Sequence, residues 1–343
     1  MLRVAINGFG RIGRSIVRIN HQKNLFNIVA INDLDPNIGN HAYLLEHDSL
    51  YGHLGEAVSV EESTNSILFG GNAISFFSES NITNVPWPTA DIIIDASGVK
   101  GNAENATLLV QKKVTKKVIV THSPAKGCDF SLLFGVNEKE YSQANHHVIS
   151  TGTCDANAVG PTISAIEKKF GIVSGHLTTL HPWLSYQNVL DGSLRSVSSP
   201  THFWSDFSLG RSSIGNLIPK GTTTIDVIEK SIPGISKKLQ AFSYRVPTSI
   251  VSSADLTLQL ARPTTKEEVI SYFKTLSKEH PRIFASENKP LVSIDYLKRE
   301  QSSIIDERWI SLAGTELLKL VLWYDNEWGY AHRVVDAALL LGK

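Results

Sequence analysis

In the first half of the chain, short apolar segments alternate with stretches of helical spacing. Residues 3–6 and 28–31 read as strands, with a helix over 12–21 between them. Asp91-Ile92-Ile93-Ile94-Asp95 and Lys117-Val118-Ile119-Val120 are apolar runs with no polar alternation. Such runs suit strands buried on both faces, hence a parallel sheet with helices on either side. The pattern changes after about residue 175. Residues 177–180, 253–260 and 317–323 alternate apolar and polar positions, as strands with one wet face do. Residues 264–280 carry helical periodicity between such strands. Residues 328–341 read as a final helix with Val334, Val335, Ala338 and Leu341 on one stripe. The expected fold class is α/β, a doubly wound parallel sheet followed by a mixed α+β part. There is no internal repeat, low-complexity tract or long linker, and residues 193–209 stand out as rich in Ser and aromatics.

Composition narrows the picture. A length of 343 residues suggests two domains. Lys plus Arg total 33 and Asp plus Glu total 33, so the formal charge is zero. Nothing in that balance points to nucleic acid or an anionic membrane as a partner. The N-terminal apolar run breaks at Asn7 and Gly8, too early for a signal peptide, and no apolar stretch reaches membrane-spanning length. The only cysteines are Cys128 and Cys154, too few for a disulfide framework or a cysteine-built zinc site. No metal is expected, and a reducing, cytoplasmic setting fits.

Gly8-Phe9-Gly10-Arg11-Ile12-Gly13 has the spacing G-x-G-x-x-G between a strand and a helix, and Asp33 follows 20 residues after Gly13. That context is the dinucleotide-binding, or Rossmann, pattern. Gly8 makes the turn, Gly10 lets a pyrophosphate approach, and Gly13 lets helix and strand pack. Arg11 and Ile12 open the helix whose free N–H groups favour anions. A carboxylate at Asp33 would accept from the adenosine ribose hydroxyls and repel a 2′-phosphate, which favours NAD over NADP. For Asp33 taken alone, the alternative of a solvated loop carboxylate carries more weight than a glycine turn that binds nothing does for the whole motif.

Cys154 stands in Thr153-Cys154-Asp155-Ala156-Asn157-Ala158, at or just before a helix expected over 156–170. A helix N-terminus stabilises a thiolate, and a thiolate can attack an aldehyde, leaving a thioester after hydride transfer. His181, ending the strand over 177–180, is the best candidate base. On spacing alone, a buried structural thiol and a satisfied structural imidazole account for these two residues equally well.

Many further segments occur in the same order as in one known family. They include Ile6-Asn7-Gly8-Phe9-Gly10-Arg11-Ile12-Gly13-Arg14, Ala30-Ile31-Asn32-Asp33-Leu34 and His47-Asp48-Ser49-Leu50-Tyr51-Gly52. Ser123-Pro124-Ala125-Lys126-Gly127, Gln187-Asn188-Val189-Leu190-Asp191-Gly192, Tyr244-Arg245-Val246-Pro247 and Trp323-Tyr324-Asp325-Asn326-Glu327-Trp328-Gly329-Tyr330 continue the series. On these the chain resembles the phosphorylating, NAD-dependent glyceraldehyde-3-phosphate dehydrogenase family, as a divergent member, over essentially its whole length. The resemblance implies an NAD-binding domain of residues 1–153 and 327–343, and a catalytic domain of 154–326 with an S-loop region at about 185–215. It implies Cys154 as nucleophile, His181 as base, Asn326 on the nicotinamide carboxamide and Tyr330 against the ring. Thr153, Asp155, Thr222 and Arg245 fall in the substrate and phosphate subsites, and a homotetramer is implied.

Three departures qualify the resemblance. Asp155 replaces the family's Thr, which helps bind attacking inorganic phosphate. Two like charges at about 4 Å repel by about 4 kcal/mol at an effective dielectric of about 20, enough to weaken a phosphate site by more than about 100-fold if Asp155 is unpaired. Lys220 or another cation would offset this. Leu184 replaces a Thr that contacts the substrate phosphate, while Arg245 and Arg211 are retained. An insertion of roughly ten residues between Asp191 and Arg211 brings His202, Phe203, Trp204 and Phe207, reshaping either a substrate pocket or a subunit contact. The expected function is NAD-dependent oxidation of a small phosphorylated aldehyde, by default glyceraldehyde 3-phosphate to 1,3-bisphosphoglycerate. A different aldehyde with water or another acyl acceptor, and a non-catalytic NAD-binding scaffold, are the alternatives.

Overall fold

The computed structural model describes residues 1–124, 126–195 and 204–343, so His202 and Phe203 lie outside the described residues. The chain divides into two units, Met1–Thr153 with Tyr330–Lys343, and Cys154–Gly329. Among the described residues, no helix is long and apolar enough to cross a membrane.

The first unit is built on a nine-stranded sheet. Its centre is Arg3–Asn7, paired in parallel with Asn27–Asn32 on one side and Ile92–Asp95 on the other. Lys117–Val120 and Val148–Ser150 extend the parallel array beyond Ile92–Asp95, while Ser66–Phe69 joins the opposite side antiparallel to Asn72–Phe77. The two unbroken apolar runs, Ile92–Asp95 and Lys117–Val120, are buried at every position. This is the doubly wound arrangement that lack of alternation predicts.

Strand order reverses beside Arg3–Asn7, where α/β sheets place their ligand crevices. A polar ladder fixes that spot. Asn7 Nδ2 donates to Asp95 Oδ1 at 2.7 Å, and Asn32 Nδ2 donates to Asn7 Oδ1 at 2.7 Å. The loop above is held by Gly8 N–H to Asn32 O at 2.7 Å and Ala96 N–H to Asn7 O at 2.6 Å. Gly8 sits at φ +91°, and a Cβ on Gly13 would lie 2.3 Å from Gly8 O. The chain therefore tolerates no side chain at either position. A Cβ on Gly10 would meet nothing within 4 Å.

The second unit carries an eight-stranded mixed sheet. Ile172–Pro182 pairs in parallel with Leu239–Val246 and antiparallel with Ser252–Leu260, which pairs in turn with Leu317–Tyr324. Inward and outward positions alternate along Ser252–Leu260 and Leu317–Tyr324, as expected for strands with one wet face. The helix Cys154–Phe170 starts two residues earlier than its periodicity suggests, and Cys154 is its first residue. Its apolar side, with Val159, Ile163 and Ile166 fully buried, covers the sheet.

The glycines separate packing from ligand approach. Gly13→Ala is expected to cost about 1–3 kcal/mol through overpacking against Gly8 O, whereas Gly10→Ala should change stability by less than about 0.5 kcal/mol. Urea denaturation of the two variants checks this, and equal losses would contradict the packing account.

Candidate functional site

In the first unit, the helix Arg11–Lys23 begins at Gly10 with no side-chain cap and no acidic residue in its first turn. Its start therefore presents the positive end of the helix dipole to an anion. Asp33 follows the strand Asn27–Asn32; its Oδ2 accepts from Phe9 N–H at 2.6 Å and its Oδ1 from Asp35 N–H at 3.1 Å. The carboxylate is thus aimed at the glycine loop, and about a fifth of the side chain stays exposed, at 22%. Arg11 forms an ion pair with Asp48 rather than pointing free from the helix start. Tyr330 donates to Gly152 O at 3.1 Å and its hydroxyl meets Thr151 Oγ1 at 2.9 Å, so its ring is fixed against the loop that precedes Cys154. Thr153 is half-buried in that same loop.

In the second unit, Cys154, Asp155 and His181 converge. Cys154 Sγ lies 3.6 Å from His181 Nε2 and 3.5 Å from Asp155 Oδ1, and the imidazole and carboxylate are 3.8 Å apart. The other ring nitrogen, His181 Nδ1, lies 2.8 Å from Pro182 O. A carbonyl only accepts, so Nδ1 carries the proton and Nε2 presents its lone pair to the sulfur. His181 stands opposite Arg245 in the parallel register of Ile172–Pro182 and Leu239–Val246. Arg245 is buried and donates to Tyr186 Oη at 3.1 Å. Asp155, also buried, accepts from Tyr324 Oη at 2.8 Å.

The electrostatics oppose one expectation. Cys154 keeps some solvent contact, yet the protein around its sulfur is dense enough that burial pushes the thiol well up. The charge and hydrogen bonding of Asp155 push the same way, and Arg245 only partly counters them. The helix start alone was expected to favour thiolate; in this protein desolvation and the adjacent carboxylate outweigh it. Burial pulls His181 down to about 4, with Arg245 acting in the same direction and Asp155 against. Lys220 is lowered by burial and by Arg245, and Asp155 and Cys154 act on it in the opposite sense, so it faces the same cluster. Burial raises Tyr324 well above its ordinary value, which keeps the phenol protonated as a donor.

The remaining expected residues lie apart from this cluster or make other contacts. Thr222 engages Thr224, hydroxyl to hydroxyl, at 2.7 Å. Arg211 pairs with Asp191 at 3.0 Å on the surface. Leu184 donates its backbone N–H to Gln187 Oε1. Asn326 is buried, and its Oδ1 has no hydrogen-bond partner among the described residues. Sequence reasoning did not single out Tyr324 or Tyr186. Tyr324 had a signal: it shares parity with Leu318, Leu320 and Leu322, all buried, and a buried phenol needs a hydrogen-bond partner.

Comparison with known proteins accords with both units. Residues 2–103 match the family model described as "Glyceraldehyde 3-phosphate dehydrogenase, NAD binding domain". Residues 153–326 match that described as "Glyceraldehyde 3-phosphate dehydrogenase, C-terminal domain". The chain is 36% identical to glyceraldehyde-3-phosphate dehydrogenase 2 of Trichormus variabilis, covering 100% of this chain and 99% of that one. It is 35% identical to the chloroplastic glyceraldehyde-3-phosphate dehydrogenase A of Chlamydomonas reinhardtii, over 100% of this chain and 89% of that one. With glyceraldehyde-3-phosphate dehydrogenase 1 of Bacillus cereus it shares 34% identity over 98% of each. Fold and comparisons together define an NAD-dependent dehydrogenase of the doubly wound class. The chain belongs to the glyceraldehyde 3-phosphate dehydrogenase family.

The depressed pKa of His181 sets the sign of a pH effect. Its value falls from 6.5 to about 4 on folding. The stability gained by keeping the ring neutral is present above 6.5 and is lost as pH falls toward 4, because the unfolded chain takes up the proton first. His181→Gln should therefore flatten the acid-side loss by up to about 1.4 kcal/mol per pH unit. Urea midpoints between pH 6.5 and 4 measure it; parallel wild-type and variant curves would refute the assignment.

Proposed function

We propose that the protein oxidises glyceraldehyde 3-phosphate with NAD through a thioester on Cys154, giving 1,3-bisphosphoglycerate when inorganic phosphate takes the acyl group. The observation that carries this reading is the 3.6 Å approach of Cys154 Sγ to the lone-pair nitrogen of His181. Family membership supports it. Bound NAD supplies the hydride acceptor.

The residues of this chain supply the rest. Nε2 of His181 takes the thiol proton, and the sulfur adds to the aldehyde carbon. The imidazolium returns that proton to the oxyanion formed on addition, giving the thiohemiacetal hydroxyl, and the neutral ring then serves as base for the hydroxyl proton as hydride departs, leaving the thioester. Arg245 and Lys220 give the pocket positive charge for a phosphorylated substrate, with Thr153, Asp155 and Thr222 assigned to the same subsites.

Several features suit NAD. The uncapped helix at Gly10, Arg11, Ile12 and Gly13 fits its pyrophosphate, and the open space over Gly10 leaves room for it. Asp33 suits the ribose hydroxyls. Asn326 Oδ1, buried without a partner among the described residues, suits the amide N–H of the carboxamide, and Tyr330 is assigned to the nicotinamide ring. We further place the protein in the cytoplasm as a homotetramer, with no nucleic acid or membrane partner. The low cysteine count and the cytosolic relative from Chlamydomonas reinhardtii support the location, and the zero net charge supports the absence of nucleic-acid and membrane partners.

NADH formation from glyceraldehyde 3-phosphate, read by absorbance, tests the proposal. Cys154→Ser should abolish it, by at least about 1,000-fold in kcat, because the nucleophile is lost. Turnover surviving in that variant would overturn the thioester route. Asp155→Thr should lower the phosphate KM by about tenfold or more, since one repelling charge is removed. An unchanged KM would mean that Arg245 and Lys220 already neutralise the carboxylate.

A further inference from the structure

We propose that Cys154 Sγ, Asp155 Oδ1 and His181 Nε2 form a three-ligand site for a borderline-soft divalent cation of the zinc type, whose occupancy closes the thiol to aldehydes. The three atoms stand 3.6, 3.5 and 3.8 Å apart. Bonds of about 2.3 Å to sulfur and about 2.0–2.1 Å to nitrogen and oxygen, opened to tetrahedral angles, require edges of about 3.3–3.6 Å. Two edges already match, and closing the third needs the carboxylate to move by about half an ångström. One thiolate, one carboxylate and one imidazole is a donor set that zinc accepts.

The supporting contacts are those a metal site needs. His181 Nδ1–H is turned to Pro182 O, which leaves Nε2 free to ligate, and Tyr324 Oη orients the Asp155 carboxylate. Binding breaks the Cys154 S–H bond, forms an S–metal bond and releases the proton to solvent. The two anionic ligands then balance the two charges of the cation, which offsets the unfavourable presence of Arg245 and Lys220. A water molecule would complete the fourth position.

A second group of possible ligands, Glu46, His47 and His53, is excluded by the same chemistry. There His53 Nδ1 accepts from Gly55 N–H at 2.9 Å, so its Nε2 carries the proton and donates to Glu46 Oε1. A metal on that Nε2 would force the ring proton against the Gly55 N–H.

The test uses the whole reduced chain, stripped of metal by a chelator and given zinc chloride, then iodoacetamide. Zinc should slow alkylation of Cys154 and leave Cys128 unaffected, and chelator should restore the rate. Cobalt(II) in place of zinc should show a sulfur-to-metal charge-transfer band with tetrahedral ligand-field bands. Asp155→Asn should raise the zinc concentration for half-protection at least about tenfold, with Asp155→Ser as a second variant if the first does not fold. Absence of protection, protection unchanged in a folded Asp155 variant, or a cobalt spectrum without the sulfur band would each overturn the site. None of these readouts needs turnover, so an inactive but zinc-protected protein would leave the site standing while failing the dehydrogenase reading.

Discussion

Tyr324 donates to Asp155 Oδ1 at 2.8 Å, and the reactive cluster is organised around that hydrogen bond. A carboxylate buried beside a thiol is expensive unless it is solvated by the protein. The phenol performs that service from the end of Leu317–Tyr324, while Asp155 sits in the first turn of Cys154–Phe170. The bond therefore ties the helix that carries Cys154 to a strand two places along the sheet from the one that carries His181. Arg245, opposite His181 in register, adds the nearby positive charge.

The position of Asp155 also decides how costly it is to activate the thiol. Its Oδ1 is 3.5 Å from Sγ and 3.8 Å from Nε2. At an effective dielectric of about 20, it repels a thiolate and attracts an imidazolium by about 4–5 kcal/mol each. The two effects nearly cancel when the proton passes from sulfur to nitrogen within the cluster. The carboxylate thus opposes ionisation of the thiol by proton loss to water far more than it opposes transfer to His181. Burial acts in the same sense, holding the thiol up and the imidazole down. Both groups rest neutral until a substrate gives the developing charge somewhere to go.

What could be read from the sequence was whatever depends on local pattern. The uninterrupted runs at Ile92–Asp95 and Lys117–Val120 gave away a sheet buried on both faces, and alternation in Ser252–Leu260 gave away the other kind. Gly8 and Gly13 were legible because a tight turn and a close helix–strand approach admit no side chain. The polar ladder Asn7–Asn32–Asp95 was not, since it joins side chains from three strands whose register the sequence does not encode. His181 could be nominated as the partner of Cys154 from residue type and family pattern, but its tautomer depends on the carbonyl of Pro182. Desolvation reversed the expected effect of the helix start on Cys154, and burial of that kind is a property of the assembled core.

Asp155 stands where the family resemblance implies threonine, and it changes the charge of the constellation around Cys154. The thiol of Cys154 and the imidazole of His181 lie 3.6 Å apart with aspartate following the cysteine. A hydroxyl there could donate to an oxyanion; a carboxylate accepts only. The pocket consequently changes from one that offers a donor beside the sulfur to one that offers a fixed negative charge, with Tyr324, Arg245 and Lys220 positioned to moderate it. Anions approaching the sulfur then depend on those two cations, while cations find a thiol, a carboxylate and an imidazole already facing one another. In the function and the metal site proposed for this cluster, the same charge opposes phosphate and favours a divalent metal, so both would follow from the single residue after Cys154.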